Sequence, residues 1–402
     1  MTTDRPTIMQ IIPDLDTGGA ELSAIEIAGA VTVAGGRAIV LSRGGRLEAD
    51  LEVAGGELYR FPAATKNPMR ILANAFEIGR LAKQFGAALI HARSRAPAWS
   101  ALIAARRVGV PFVTTYHGAY NETGPVKRLY NSVMARADLV IANSHYTAGL
   151  VQDRYGTPEN RLRVIHRGVD MERFDPAAIS AERVVALRNA WGLRDGERAV
   201  LHPARLTSWK GQAAVIGATQ KLMASGRLNG VVVILAGDAQ GREAYAESLK
   251  AQIAQGGLEG NVRLVGHVAD MPAAFAASAA AIVASVEPEA FGRTATEAQA
   301  MGCPVIATNI GAPPETVLSE PAVTKNEATG WLVPPGDAEA LSQALARLLG
   351  LPAEEVSAMA ERSRSRVSEQ FSLNSMKTKT LAVYDELLQT ELRKSFLRSS
   401  RS

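Results

Sequence analysis

The sequence predicts two doubly wound α/β domains in tandem. Three observations carry that expectation. The chain has 402 residues, which at about 150 residues per domain suits two large domains. Apolar runs of four to six residues alternate with helical patterns, and no hairpin turns join them, which is the pattern of a parallel sheet covered on both faces. The second half then repeats the plan of the first, without a literal repeat at fixed period.

In the first half, Ile8–Pro13 reads as a strand ending in the turn Asp16-Thr17-Gly18-Gly19, followed by a helical pattern over Ala20–Val33. Strands follow at Ala38–Leu41, Ala88–His91, Pro111–Tyr116 and Leu139–Ala142, with helices at Leu72–Gln84 and Pro97–Arg107. In the second half, strands are expected at Ala199–His202, Val231–Ala236, Val262–Val265, Ala280–Ala284 and Val305–Ala307. Helices are expected at Gln212–Met223, Ala244–Gln255, Met271–Ala277 and Thr294–Met301, and from Pro335-Gly336-Asp337 to about Leu349. The boundaries predicted are 1–170, 171–372 and a C-terminal helical segment 373–402. The last runs as one helix over Asn374–Leu392, packs back on the N-terminal domain and ends in a frayed basic tail. The link between domains is read at Val164–Pro176.

Composition narrows the class. Hydrophobic residues make up 47% and charged residues 21%, an ordinary globular balance. A single cysteine, Cys303, excludes an intramolecular disulfide or a Cys-rich zinc site, and an inert buried thiol is expected there. Met1–Pro6 shows no secretory signal, and Ala273–Val286 is too short to span a bilayer. The formal net charge of +4 is unevenly placed: between Arg60 and Ala137, twelve basic residues face only Glu77 and Glu122. Such a surface attracts phosphate-bearing partners. Without a helix-turn-helix, zinc-finger or RNP signature, no nucleic-acid partner is expected.

Neither domain carries G-x-G-x-x-G after its first strand or a G-x-x-x-x-G-K-[ST] loop, so a dinucleotide dehydrogenase and a P-loop NTPase are unsupported. The informative segment is Glu287–Glu297, EPEAFGRTATE, between a strand and a helix. Glu289 precedes the turn and Glu297 lies one turn into the helix; the N–H groups from Phe291 through Gly292 and Arg293 to Thr294 make an anion site between them. That arrangement suits the hydroxyl, pyrophosphate and ribose parts of a nucleoside-diphosphate sugar. A second segment, ARLTSWKGQ at 204–212, sets Arg205 and Lys210 in a loop after a strand, where two cations can converge on a diphosphate without a metal. Asp14-Leu15-Asp16 has the form of a metal-binding D-x-D, but it caps the first strand, and no metal is expected.

Together these segments resemble the retaining glycosyltransferases of family 4 (group 1), with the E-x7-E pair at Glu289 and Glu297 and a GT-B fold of two Rossmann-like domains facing a cleft. The resemblance extends over nearly the whole chain: Gly18-Gly19-Ala20-Glu21, Thr115-Tyr116-His117-Gly118, Ala142-Asn143-Ser144, Arg167-Gly168-Val169-Asp170 with Arg173-Phe174, and Thr329–Val333 all match in order. At a finer level, HARSRAPAWSA, LTSWKGQ and EPEAFGR resemble bacterial lipopolysaccharide-core glycosyltransferases, mannosyltransferases among them. Two departures bear on donor choice: Gly311-Ala312-Pro313-Pro314 replaces a common Gly-Gly, and Arg293 stands where an aliphatic residue is common.

The resemblance implies roles. Arg205 and Lys210 bind the diphosphate, Glu289 the donor-sugar hydroxyls and Glu297 the ribose; Gly18 and Gly19 close over the sugar phosphate, and His117 contacts the donor sugar. Phe291, Gly292 and Arg293 complete the donor site, and His202, Asp238 and His267 are weaker candidates for it. The implied reaction is transfer of a hexose, mannose favoured, from a GDP- or UDP-hexose to an anionic glycolipid acceptor, without a cofactor. The place implied is cytoplasmic, peripheral on the inner face of the membrane. Another lipid or a soluble sugar is the alternative acceptor, and a non-catalytic nucleotide-sugar-binding protein is the alternative outside enzymes.

Overall fold

The computed structural model describes residues 5–16, 18–118, 120, 122 and 124–400. The Met1–Asp4 part of the N-terminus, read above as lacking a signal, and Thr17 of the glycine-rich turn lie outside them. The chain divides into two compact units, residues 1–168 with 373–402, and residues 169–372.

Unit 1 carries strands β1 (Thr7–Ile11), β2 (Arg37–Ser42), β3 (Glu57–Arg60), β4 (Ala87–Ala92), β5 (Phe112–Tyr116), β6 (Leu139–Ala142) and β7 (Leu162–Val164). Its helices are α1 (Gly19–Val33), α2 (Glu48–Val53), α3 (Pro68–Gln84), α4 (Arg95–Val108), α5 (Pro125–Ser132) and α6 (His145–Tyr155). The strands form one parallel sheet in the order β3-β2-β1-β4-β5-β6-β7. Unit 2 carries β8 (Arg198–Pro203), β9 (Val231–Ala236), β10 (Val262–Gly266), β11 (Ser278–Val283), β12 (Val305–Thr308) and β13 (Gly330–Val333) in the order β10-β9-β8-β11-β12-β13. Its helices are α7 (Ala181–Ala190), α8 (Gln212–Ala224), α9 (Glu243–Gln255), α10 (Met271–Ala276), α11 (Arg293–Ala300), α12 (Pro313–Thr316), α13 (Ala338–Leu349) and α14 (Ala353–Gln370).

Both sheets bury both faces. β1 is buried at every position, and β9 likewise, so these strands read as continuous apolar runs rather than alternating ones. Each sheet reverses its winding once, between β1 and β4 in unit 1 and between β8 and β11 in unit 2. A crevice opens at the carboxyl ends of the strands at such a switch point. The loops carrying Gly18 and Gly19 after β1, Arg205 and Lys210 after β8, and Glu289 after β11 all leave strands that flank these points.

The C-terminal segment differs from the single helix expected. It forms α15 (Leu373–Leu388) and α16 (Leu392–Ser399), broken where Gln389 takes φ 55°. Asp385 makes the break: its carboxylate accepts from the Leu392 N–H at 2.7 Å and the Arg393 N–H at 2.8 Å, satisfying the first turn of α16. Leu392 and Phe396 are buried, so α16 is anchored where a frayed tail is expected; residues 401–402 lie outside the described residues. Met376, Leu381, Val383 and Tyr384 enter the core formed by β1, β2 and α1. Burying each such side chain stabilises the unit by roughly 1.5–3 kcal/mol.

Candidate active site

In unit 2 the site begins with backbone constraint. The turn Ser208–Lys210 ends at Gly211, which takes the left-handed region at φ 79°; a Cβ there would stand 1.9 Å from the Ala284 carbonyl oxygen. No other residue fits, so the loop after β8 is held flat against the end of β11. The Val286 N–H donates to the Trp209 carbonyl at 2.8 Å and ties the two loops again. On the far side, Glu289 pairs with Gly311 in a parallel bridge, and the Ala312 N–H donates to the Glu289 carbonyl at 2.9 Å. The Gly311-Ala312 departure noted in the sequence thus holds the backbone of Glu289.

These constraints bring Lys210 and Glu289 together. Lys210 Nζ donates to Glu289 Oε1 at 2.7 Å, with side-chain exposures of 18% and 11%. Ser285 Oγ donates to the same oxygen, and Lys210 Nζ lies 4.2 Å from the centre of the Trp209 ring. Glu297 sits one turn into α11, where Arg293 Nε donates to its Oε1 at 3.2 Å. Burial pushes the Glu297 carboxyl up from its usual range, against the opposing pull of Arg293 and Arg173. Gly292, at φ 81°, is the N-cap of α11 and adds no side chain there. Phe291 turns its ring inward, 6.0 Å from that of Phe371, so only its backbone can serve a ligand. Arg205 is exposed and makes no ion pair among the described residues.

The weaker candidates separate. His202 is buried in the sheet, and its Nδ1 donates to the Ile282 carbonyl at 2.9 Å. Burial holds it neutral, down to about 4. Its Nε2 has no hydrogen-bond partner among the described residues, and the charges of Lys210 and Glu289 act on the ring. Asp238 and His267 face each other across 3.9 Å on the surface. Cys303 is buried, and its thiol is pushed up to about 12, which fits the inert role expected of it. Asp14 pairs with Arg43 at 2.7 Å, and Asp16 accepts from the Arg46 N–H at 3.3 Å, so both aspartates have local work.

In unit 1 the glycine loop meets Arg167. A Cβ on Gly19 would lie 1.7 Å from Arg167 Nη1, so the glycine admits the guanidinium. Arg167 Nη2 donates to His117 Nδ1 at 3.1 Å. Since Nδ1 accepts, the proton of the neutral ring sits on Nε2, which is buried and without a hydrogen-bond partner among the described residues. Burial, then the charges of Arg167 and Arg93, push His117 well below the ordinary histidine value. Beside it, Arg93 is 3% exposed, donates through Nε to Gln10 at 2.8 Å, lies against the Tyr384 hydroxyl, and has no hydrogen-bond partner for Nη2 among the described residues. Arg93, Thr115, His117, Asn143 and Arg167 line an internal cavity of about 20 Å³, room for about one water.

Arg167, Arg93 and Ser285 are the residues that sequence reasoning left without a site role. Arg167 stands in the sequence only as part of a linker motif, and Arg93 only within the basic run and the HARSRAPAWSA segment. Ser285 carries no motif signal at all.

Comparison with known proteins gives the family. Residues 17–173 match the model of Glycosyltransferase Family 4, and residues 185–366 that of Glycosyl transferases group 1. A crystal structure of a glycosyltransferase from Rickettsia africae ESF-5 superposes with a TM-score of 0.88 at 34% identity, covering 96% of this chain and all of that one. Anabaena Alr3699/HepE, solved in complex with UDP and glucose, gives 0.78 at 26% identity, covering 94% and 99%. The fold and its site segments define a GT-B glycosyltransferase class of protein. The chain belongs to glycosyltransferase family 4, group 1.

Among curated relatives, a D-inositol 3-phosphate glycosyltransferase of Salinispora arenicola is 30% identical over 305 residues, 71% of this chain. The match spans 65% of that relative's own length, somewhat under two thirds. A lipopolysaccharide core biosynthesis mannosyltransferase, LpsB of Rhizobium meliloti, is 29% identical over 257 residues, 64% of this chain and 68% of LpsB.

Proposed function

We infer that the protein transfers a hexosyl group from a nucleoside-diphosphate sugar to an acceptor hydroxyl with retained anomeric configuration. The observation that carries this reading is the Lys210–Glu289–Ser285 cluster at the β8/β11 switch point, beside the glycine-started helix α11. A diphosphate arriving there draws Lys210 and Arg205 as charge builds on the departing oxygen. Glu289, relieved of Lys210, then accepts from donor-sugar hydroxyls, and Glu297 from the ribose. The Nε2–H of His117 is left to meet a hydroxyl of the sugar. Arg205, Lys210 and the α11 start supply the positive charge that a metal would otherwise bring, so the reaction is assigned no metal. The leaving diphosphate helps remove the acceptor proton, and no separate carboxylate base is needed.

The favoured donor sugar is mannose and the favoured acceptor a lipid-linked, anionic glycolipid of the lipopolysaccharide-core kind. LpsB supports both choices, and the basic 60–137 segment supports the acceptor. The corresponding place is peripheral, at the cytoplasmic face of a membrane; no helix among the described residues is long and apolar enough to cross one. A second reading, transfer to a soluble phosphorylated acceptor, is favoured by the inositol-phosphate relative. HepE supports a UDP-sugar donor in place of a GDP-sugar.

The test is thermal stabilisation by a panel of nucleotides and nucleotide sugars with chelator present. A ligand that binds only the folded state raises the melting temperature once its concentration exceeds its dissociation constant. A shift with GDP and GDP-mannose but not UDP supports the mannosyl reading, and a shift with UDP and a UDP-hexose replaces mannose and keeps the reaction. No shift with any of them overturns the reading.

A further inference from the structure

Three cations of unit 1 stand around one opening. A cavity of about 720 Å³ lies where α4 and α5 begin, and Lys66, Arg95, Lys127, Ser94 and Tyr130 stand in its wall. No carboxylate among the described residues does. Its volume falls within the roughly 300–1,000 Å³ usual for small-molecule sites.

The arginine in this wall is held in place by neutral groups. Arg95 Nη1 donates to Asn131 Oδ1 at 2.8 Å, and its guanidinium carbon lies 3.9 Å from the centre of the Tyr120 ring. Both contacts orient the charge, and neither cancels it. Lys66 and Lys127 are exposed and reach the same space from the approach to α3 and the first turn of α5. Two helix starts add to them. Ser94, the N-cap of α4, makes no side-chain capping bond, and Gly124, the N-cap of α5, has no side chain to make one. The positive end of each helix therefore adds to the three full charges. Like charges held around one space repel, and an anion entering it relieves that repulsion.

A phosphate matches this wall better than a carboxylate. It carries close to two negative charges at neutral pH, and its three terminal oxygens can meet three separate cations. We propose that this cavity is the phosphate subsite of the acceptor, with Lys66, Arg95 and Lys127 as its ligands. The proposal rests on the reading that the acceptor is anionic and is met by the basic 60–137 segment. The apolar part of the wall, including Val126 at 80% exposure, then faces whatever carries the phosphate.

The experiment uses the full chain and two probes, glycerol 3-phosphate by calorimetric titration and phosphatidic acid vesicles by co-sedimentation. Glycerol, which lacks the phosphate, and phosphatidylcholine vesicles, whose zwitterionic headgroup is net neutral, are the controls. Saturable binding of glycerol 3-phosphate identifies a soluble phosphate ester as sufficient; binding of phosphatidic acid vesicles alone identifies a lipid headgroup. Either supports the subsite provided that Lys66→Ala/Lys127→Ala weakens binding at least tenfold while Arg205→Ala/Lys210→Ala leaves it in place. The single variant Lys127→Gln, which keeps the stem, gives the same direction of change should the double variant fold poorly. Binding that is equal in wild type and the lysine variants, or absent for both probes, overturns the proposal. Nucleotide stabilisation is measured on the same samples. Its loss with phosphate binding intact refutes the glycosyltransferase reading and not the anion subsite.

Discussion

The two units handle charge in opposite ways. In unit 2 four of the functional groups come as closed pairs, Lys210 with Glu289 and Arg293 with Glu297, each mostly shielded from water, and Arg205 alone stands outside such a pair among the described residues. In unit 1 the buried Arg93 donates to the neutral amide of Gln10 and feels the Tyr384 hydroxyl and the Glu26 carboxylate, while Arg95 rests on Asn131 and Tyr120 and makes no ion pair among the described residues. A paired site gains from a ligand only by exchange, because the ligand must replace the partner it displaces. An unpaired site gains from the first anion to arrive. The difference teaches that a diphosphate would rearrange unit 2 and that a phosphate would complete unit 1.

The largest test of this contrast is Glu289→Ala. It leaves Lys210 without its partner and removes the acceptor for sugar hydroxyls, so turnover should fall on the order of 100-fold or more, read from steady-state kinetics with the donor that stabilises the protein. A rate within twofold of wild type would end the role given to Glu289. The counterpart in unit 1 is Tyr384→Phe. The Tyr384 hydroxyl bonds His91 Nδ1 at 2.7 Å inside the core, and His91 Nε2 bonds Thr115 Oγ1 at 2.8 Å. Losing the hydroxyl leaves a buried nitrogen unsatisfied and should cost about 1–3 kcal/mol, measured by urea unfolding.

A smaller effect follows from the histidines. His91 and His117 in unit 1 and His202 in unit 2 are held neutral by burial, with folded values lowered. An unfolded histidine near 6.5 takes up a proton that the folded one refuses, so the stability is full above about 6.5 and is lost as pH falls. The slope is at most about 1.4 kcal/mol per pH unit for each histidine. For His202 the window runs from there down to about 4. Two histidines against one should make unit 1 lose protection faster, as hydrogen exchange at pH 7.5 and 5.5 would show. Equal slopes would contradict the burial argument. The smallest effect belongs to Asp14→Ala. It breaks an exposed pair with Arg43, and exposed pairs contribute little, so melting and chelator-treated activity should stay at wild-type values. A large loss of activity would reopen the metal reading of Asp14 and Asp16.

Much of the architecture was legible because buried parallel strands are continuous apolar runs. Val231–Ala236 is one, and its limits were read without error. β3 was not legible: Glu57-Leu58-Tyr59-Arg60 lies at a sheet edge with half its side chains in water and has no apolar run. α7 was missed for a related reason, since none of its residues is buried and no stripe marks it. The break between α15 and α16 depends on Asp385 reaching forward seven residues, which periodicity does not register. At the site, the residue types were readable from motifs, but the pairing was not. Lys210 meets Glu289 because Gly211 and Gly311 hold two loops against each other's backbones. Arg93 becomes a buried cation only through register, because β1 and β4 align Gln10 with His91 two residues before it.

The chain leaves unit 1 at Gly168 and returns to it at Leu373. Synthesis therefore delivers unit 2 whole while unit 1 still lacks Leu381, Val383 and Tyr384 from its core. On the ribosome, the first-made domain must wait for the last-made helices, and His91 gains its tyrosine partner only after 293 further residues have been added. A stop codon near position 373 would thus spare the half of the protein encoded just before it and cripple the half encoded first.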